Sequence, residues 1–170
     1  LQDFYGSNPQ QSPDLGRMIN KKHFERVSKL IDPAKVLAGG QTDAKDLYIA
    51  PTLLNNVTLD DAVMKEEIFG PVLPIISYNS LGEVYQHMKK LPSHPLALYL
   101  FTESADVERD VLDNIQFGGG CVNNTLMHIA NANLPFGGVG ESGVGSYHGH
   151  KSFLIFSHQR SILKSATFMD

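Results

Sequence analysis

Apolar side chains recur along this chain with the spacing of a helix in three places. They return every three or four positions over residues 21–31, 81–91 and 105–115, which predicts a helix with one apolar face in each range. Asn20 and Ser104 stand directly before two of these ranges, and both are residue types whose side chains accept hydrogen bonds from a helix's first turn. We therefore expect capped helices that begin near residues 21 and 105.

Shorter apolar runs predict β-strands between and around these helices. The runs cover residues 36–38, 47–54, 72–78, 96–101 and 118–123. The run from Leu96 to Phe101 is apolar throughout, as expected of a strand that is buried on both faces. Pro51 has no backbone N–H to donate, so it places at least part of the second run at a sheet edge.

The order of these elements predicts the fold class. From residue 72 to residue 123 the order is strand, helix, strand, helix, strand, which favours a parallel-rich sheet flanked by helices. Residues 2–13 are polar with two prolines and predict a loop, and glycines crowd the segment 137–149, which predicts an irregular loop. Residues 151–164 predict a helical turn followed by a strand. The expected fold class is α/β.

Composition narrows the range of functions. The chain has 170 residues, of which 42% are hydrophobic and 19% are charged, and this is the composition of a folded globular protein. A net charge of -4 without a basic stripe gives no reason to expect nucleic acid. No apolar run reaches membrane-spanning length, and the first residues lack the features of a secretory leader.

The chain begins with Leu1 rather than Met, so we expect a piece of a longer protein. One cysteine allows no internal disulfide, which fits the cytoplasm.

One candidate site lies just before the strand predicted at residue 72. In the sequence Lys65-Glu66-Glu67-Ile68-Phe69-Gly70-Pro71-Val72, a carboxylate and an aromatic ring precede a turn. A carboxylate can accept hydrogen bonds from a ribose diol, and an aromatic face can pack on a planar ring. Without further context, solvated acids and one core aromatic side chain are the more ordinary interpretation.

A family resemblance makes the motif specific. Residues 66–72 resemble a signature of the aldehyde dehydrogenase superfamily, and Pro135-Phe136-Gly137-Gly138 with Ser142-Gly143 resembles its second C-terminal signature. Residues 145–149 and 151–158 resemble class 3 members, which oxidise medium-chain, fatty and aromatic aldehydes. The resemblance runs from about residue 4 to residue 164. It implies that residues 1–150 are the C-terminal part of the catalytic domain and that residues 151–170 are a tail with an oligomerisation strand, while the cofactor-binding domain is absent from this chain.

The resemblance also implies an activity and roles for five residues. The family oxidises aldehydes to carboxylic acids with NAD or NADP, through a cysteine thiolate that forms a thiohemiacetal and through oxyanion donors. Glu67 resembles the residue that binds the nicotinamide ribose, and Phe69 the one that packs against that part of the cofactor. His23 aligns with a weaker cofactor contact. Tyr147 and His148 resemble residues that line the substrate pocket.

The catalytic residues themselves are expected elsewhere. In the family, the glycine-rich cofactor motif, the general-base glutamate, the oxyanion asparagine and the nucleophilic cysteine all precede the position of Leu1. No segment of this chain has a strand, a glycine turn and a helix with the spacing of a dinucleotide fingerprint. We therefore expect this chain alone to be inactive, and the choice between NAD and NADP to be made upstream.

Cysteine and histidine suggest other chemistry that we do not favour. Cys121 is the single thiol, but it lies in a predicted buried strand, where a free cysteine usually behaves as a small hydrophobic residue. His148 and His150 do not share a helical face, and no second cysteine supports zinc, so we predict no metal site. The loop 137–149 lacks the lysine and hydroxyl ending of a P-loop.

The tail predicts the assembly. Phe153, Ile155 and Phe156 place apolar side chains near the end of the chain, and the family resemblance implies that this region crosses to a neighbouring subunit of a homodimer. Without its N-terminal partner domain, the chain is expected to be poorly soluble. Two alternatives remain open: an acylating or semialdehyde-type dehydrogenase, and a non-catalytic dimerising or regulatory module.

Overall fold

A computed structural model describes residues 1–91 and 94–168 of the chain. The chain divides into two compact units, Leu1–Pro92 and Ser93–Asp170. This division follows contacts within the chain, so the assignment of residues 1–150 and 151–170 to parts of a larger enzyme stays a prediction.

The helices of the first unit follow the predicted pattern with two differences. They are α1 (Gln2–Tyr5), α2 (Lys21–Ser28) and α3 (Leu81–Lys90). The side chain of Asn20 accepts a hydrogen bond from the backbone N–H of His23 at 2.9 Å, which confirms the predicted cap. The helix α2 ends three residues before the predicted residue 31. The helix α1 lies where we predicted a loop, and this expectation was wrong because a single turn needs no apolar periodicity.

Two small sheets lie in the first unit. Its strands are β1 (Val36–Ala38), β2 (Thr42–Asp43), β3 (Tyr48–Ile49), β4 (Thr52–Leu54) and β5 (Val72–Pro74). The strands β2 and β3 form an antiparallel pair. The strand β4 lies between β1, which is antiparallel to it, and β5, which is parallel to it. Pro51 therefore separates two strands: β3 lies at the edge of a two-stranded sheet, as predicted for part of this run, and β4 is the central strand of the other sheet.

The core of the first unit lies between α2 and the strands. It consists of seven buried residues: Phe24, Val27, Ile49, Leu54, Val57, Val63 and Val72. Leu54 is 1% exposed. Thr52 is also buried, and its hydroxyl donates to the carbonyl of Ala50 and accepts from the N–H of Gly40. Because its polar atom is satisfied, Thr52 can lie in an apolar core without a large desolvation cost.

The second unit contains the predicted strand–helix–strand arrangement. Its elements are β6 (Ala97–Leu100), α4 (Ala105–Asn114), β7 (Gly119–Val122), α5 (Met127–Ala130) and α6 (Gly149–Ile155). The strands β6 and β7 are parallel. The hydroxyl of Ser104 accepts from the N–H of Val107 at 3.3 Å, so the second predicted cap is confirmed.

Two expectations for this region were wrong. The strand β5 belongs to a different sheet from β6 and β7, so the described residues do not form one continuous parallel sheet. The strand β6 is half-buried rather than fully buried, because a two-stranded sheet leaves much of its surface uncovered. The helix α6 confirms the predicted turn in the tail. Residues 157–166 have no strand partner within the described chain, and the expected oligomerisation strand, which needs a neighbouring subunit, stays a prediction.

Candidate functional site

Residues 65–71 form an irregular connection that leads into β5. A short 3₁₀ turn, Ala62–Met64, precedes the connection. Glu67 is exposed, and 75% of the surface of Phe69 is exposed. Phe69 has a φ of +46°, in the left-handed region that bulky residues rarely adopt. The two side chains are therefore presented outward from the end of a strand, and the described residues do not enclose them in a cleft.

Arg26 on α2 holds the main chain of this connection. One guanidinium nitrogen, Nη1, contacts the Glu66 carboxylate at 2.8 Å and the Glu67 carbonyl at 3.5 Å. The other, Nη2, donates to the Ile68 carbonyl at 2.6 Å. Sequence reasoning missed Arg26. Its position three residues after His23, on the polar side of a helix that buries Phe24 and Val27, was the available signal.

Packing at Gly70 fixes the downstream end of the same connection. A Cβ atom at Gly70 would lie 2.7 Å from Cγ1 of Val27, so α2 can approach this closely because residue 70 has no side chain. The N–H of Thr52 donates to the carbonyl of Pro71 at 2.8 Å, just before β4 and β5 pair. The helix α2 and the central strand therefore determine where Glu67 and Phe69 lie.

His23, the third predicted cofactor residue, lies on the first turn of α2. Its backbone N–H is used by the Asn20 cap, and its side chain is half-buried. It shares this helix with Arg26, so one rigid element carries His23 and holds the connection with Glu67 and Phe69. The structure thus brings the three predicted residues to one helix and one connection of the first unit.

The predicted substrate-side residues lie in an aromatic cluster of the second unit. Phe136 and Tyr147 form an antiparallel bridge, with N–H to carbonyl distances of 2.9 and 3.0 Å. The Tyr147 and His148 rings meet edge to face at 4.5 Å between centroids, and the Phe136 ring lies 5.8 Å from Tyr147. The Nδ1 atom of His148 is buried and has no hydrogen-bond partner among the described residues.

His128 extends this aromatic cluster, and sequence reasoning gave it no place there. Its ring lies 6.0 Å from Phe136 and 5.8 Å from Tyr99, and it is 7% exposed. The Sγ atom of Cys121 lies 3.6 Å from Nδ1 of His128, so the thiol is beside an imidazole rather than among purely apolar groups. Cys121 is half-buried, less buried than we predicted.

Two carboxyls with a lowered pKa lie elsewhere in the first unit. A hydrogen bond from Lys35 is the main cause that lowers the pKa of the Asp61 carboxyl. The backbone N–H of Lys45 does the same for the pKa of Asp43, helped by the side chain of Gln10. These carboxylates stabilise loops. Among the described residues, no three histidine, cysteine or acidic side chains cluster in a way that could hold a metal ion.

Comparison with known proteins identifies the family. A family model described as "Aldehyde dehydrogenase family" matches residues 4–162, which is most of the chain. The chain belongs to the aldehyde dehydrogenase family. The predicted membership is thereby confirmed, and so is the mixed α/β fold with parallel strands and helices, which matches part of solved aldehyde dehydrogenase structures.

Several relatives of this aldehyde dehydrogenase chain are of the class 3 type. It is 49% identical to the 4,4'-diaponeurosporen-aldehyde dehydrogenase of Staphylococcus aureus, over 100% of the chain and 37% of the relative. It is 51% identical to aldehyde dehydrogenase family 3 member B1 of Bos taurus, over 94% of the chain and 34% of the relative. The rat "Aldehyde dehydrogenase, dimeric NADP-preferring" is 49% identical over 96% of the chain and 36% of its own length. The chain spans about a third of the length of these relatives.

Solved structures agree with this assignment. The substrate-bound state of the Staphylococcus aureus enzyme AldH superposes with a TM-score of 0.92 at 48% identity, over 99% of this chain and 37% of that one. The NAD+ complex of a Bacillus cereus aldehyde dehydrogenase gives a TM-score of 0.70 at 31% identity, over 80% of this chain and 28% of that one. Within residues 1–91 and 94–168, no helix of this aldehyde dehydrogenase chain is long and apolar enough to cross a membrane.

Proposed function

We propose that this chain forms the nicotinamide-side surface and part of the aldehyde pocket of an NAD(P)-dependent enzyme that oxidises an aldehyde to a carboxylic acid. The supporting observation is the outward presentation of Glu67 and Phe69 by a connection whose main chain Arg26 holds. Two recognition groups on one fixed segment suit a ligand that has a ribose next to a planar ring.

The residues of this site fit NAD or NADP. Glu67 is exposed and can accept hydrogen bonds from the two hydroxyls of the nicotinamide ribose. Phe69 has 75% of its surface exposed and can pack against the nicotinamide end of the cofactor. His23 supplies a further contact with the cofactor from α2. When bound, the cofactor supplies the hydride acceptor. The names of the relatives are compatible with either cofactor, because one relative is called NADP-preferring and one structure contains NAD+.

Tyr147 and His148 supply the substrate side of the proposal. Together with Phe136 they form a surface of three aromatic rings, which can exclude water and pack against the apolar part of an aldehyde. We therefore propose a medium-chain or aromatic aldehyde as the substrate.

The nucleophile of the proposed reaction belongs to another part of the enzyme. We propose that a cysteine outside residues 1–170 attacks the aldehyde to give a thiohemiacetal, and that this chain alone does not turn over. Cys121 has no part in this proposal. It lies in β7, half-buried against His128, and outside both family signatures.

We further propose that the tail pairs with a second copy of the same enzyme. Phe156 and Leu163 are 90% and 92% exposed, and residues 157–166 are without a strand partner in the described chain. A second subunit would cover these side chains and supply the hydrogen-bonded neighbour that a strand needs. Sedimentation of the complete enzyme measures this association.

The cytoplasm remains our prediction for its location, because the single cysteine gives no internal disulfide.

The activity is tested in the complete enzyme that carries this sequence. We expect it to reduce NAD+ or NADP+ when a medium-chain or aromatic aldehyde is added, while residues 1–170 alone show no reduction. Glu67→Gln should slow single-turnover hydride transfer by about tenfold or more, which is about 1.4 kcal/mol of barrier, because a neutral amide binds and orients the ribose hydroxyls less well.

The matched control is Asp60→Asn, which also neutralises an acid of the first unit but at a fully exposed side chain. It should transfer hydride at the wild-type rate. Unchanged transfer in Glu67→Gln would remove Glu67 from the site. A complete enzyme that oxidises none of these aldehydes would contradict the proposal and favour the non-catalytic, dimerising module.

A further inference from the structure

We propose that Arg26 is a positioning residue for hydride transfer: it fixes the main chain of residues 66–68 and thereby sets the directions of the Glu67 and Phe69 side chains. This inference rests on the proposed function. It assigns to Arg26 no contact with substrate or cofactor, and it predicts that the effect of Arg26 passes through its neighbours.

The contacts of Arg26 have the geometry of a clamp. Its two terminal nitrogens reach two consecutive carbonyls, those of Glu67 and Ile68, and one of them also pairs with the Glu66 carboxylate. These carbonyls belong to two consecutive peptide units, 67–68 and 68–69, so holding both fixes the orientation of the two units. A planar guanidinium can hold both at once, whereas a lysine ammonium is a point charge on a flexible stem.

The clamp supplements the other attachments of the upstream part: the Ile68 side chain packs against the core, and Lys65 donates to the carbonyls of Ala62 and Leu59. Residues 65–69 lie in neither a helix nor a strand, and the side chains of Glu67 and Phe69 are exposed rather than anchored in a core. Phe69 also has a left-handed φ, which persists only where surrounding contacts impose it. Downstream, Gly70 packs on Val27, and the Pro71 carbonyl accepts a hydrogen bond from the N–H of Thr52. The connection therefore keeps its attachment to β5 even without Arg26.

The two adjacent acids are therefore used differently. Glu66 gives its carboxylate to Arg26, and Glu67 gives only its main-chain carbonyl. Within residues 1–91 and 94–168, no ion pair occupies the Glu67 carboxylate. Arg26 thus has its charge balanced by Glu66, while the Glu67 carboxylate stays available to accept from hydroxyl donors.

The test compares Arg26→Lys, Glu66→Gln and the control Lys22→Gln in the complete enzyme. Lysine keeps the charge and can still pair with Glu66, but it cannot hold both carbonyls. We expect Arg26→Lys to slow single-turnover hydride transfer by about tenfold to 100-fold, as expected for a misdirected contact in a reacting complex. Glu66→Gln keeps both carbonyl contacts and should stay within about threefold of wild type. Lys22 is an exposed cation of the same helix, and its replacement should have no effect.

Two further readouts separate positioning from general damage. Affinity for AMP, which lacks the nicotinamide ribose, should be unchanged in Arg26→Lys, whereas affinity for NAD(P)+ should fall. In the Glu67→Gln background, Arg26→Lys should slow transfer by a smaller factor than it does in the wild type, because the part of its effect that passes through the Glu67 carboxylate is already lost and only the part through Phe69 remains. Should Arg26→Lys fail to fold, Arg26→Gln, whose side chain is two atoms shorter and therefore too short to hold both carbonyls, takes its place in each measurement.

The outcomes distinguish this inference from the proposed function. Wild-type hydride transfer in Arg26→Lys would overturn the inference and leave the proposed function intact, provided that Glu67→Gln is slow. An equal loss of AMP affinity, or additive effects in the double variant, would also overturn it and show a direct or purely structural role. If the wild-type complete enzyme does not oxidise aldehydes, the proposed function fails first.

Discussion

The two units of this chain differ in how far they bury their apolar side chains. Of the eleven buried hydrophobic residues among those described, nine lie in the first unit, and two, Val111 and Ile115, lie at or just after α4 in the second. The second unit instead exposes large side chains near its end, among them Phe153, Phe156 and Leu163. The first unit therefore has a hydrophobic core of its own, whereas the described part of the second unit has only two fully buried hydrophobic residues.

This difference indicates where each unit obtains its stability and its function. A buried core holds α2 and β4 in fixed positions, and these elements direct the connection with Glu67 and Phe69. Large exposed apolar patches usually mark surfaces that another chain or domain covers. We infer that the core of the first unit fixes the positions of Glu67 and Phe69, while the exposed apolar side chains of the second unit form a surface that another chain or domain covers.

The largest expected effect is at the centre of the first core. Leu54→Ala should lower the free energy of unfolding by about 2–5 kcal/mol, because it removes a side chain that is 1% exposed and leaves a cavity. Urea unfolding followed by circular dichroism measures this loss. The control Val144→Ala, at a residue of the second unit that is 99% exposed and lies outside the tail, should change the free energy by less than about 0.5 kcal/mol. Equal losses at the two positions would contradict the comparison.

A smaller effect is expected on association through the second unit. Phe156→Ser combined with Leu163→Ser should weaken the proposed homodimer of the complete enzyme by about 1.5–3 kcal/mol for each side chain that the dimer buries. Sedimentation at several concentrations measures the dissociation constant. Ile19→Ser removes an 83% exposed apolar side chain from the first unit and should leave the constant unchanged. A dimer that tolerates the tail variant would show that other surfaces hold it together.

The elements that the sequence predicted well are those with local signals. Asn20 and Ser104 cap helices as expected, because capping depends on one side chain and the N–H groups of the next turn. The parallel pairing of β6 and β7 followed from the strand–helix–strand order. The motif that contains Glu67 and Phe69 does lead into a strand, although β5 is shorter than predicted.

The misses concern contacts between distant parts of the chain. Apolar runs could not tell that β5 pairs with β4 rather than with β6, since strand pairing depends on partners far away in sequence. Arg26 was missed because its three acceptors lie forty or more positions later in the chain. The tail strand stays a prediction, because a strand requires a hydrogen-bonded neighbour and the described chain does not supply one.

The last expected effect is the response of the first unit to acid. Both carboxyls whose pKa is lowered below the ordinary value of 3.8, Asp43 and Asp61, lie in this unit. A lowered pKa in the folded state means that the carboxylate stabilises the fold above the unfolded pKa, and that this contribution is lost as the pH falls through the folded pKa. The free energy of unfolding should therefore decrease below about pH 4.

Asp61→Asn should flatten that decrease, because the amide has no charge to lose and no longer pairs with Lys35 as an ion. Asp60→Asn, at a fully exposed carboxylate, should leave the slope as it is in the wild type. Amide hydrogen exchange at pH 5 and at about pH 3 locates the change, which should affect β4 and its neighbours more than β6 and β7. If β6 and β7 instead lose protection first, then the thinly buried second unit, rather than the carboxylates of the first, sets the acid limit of the protein.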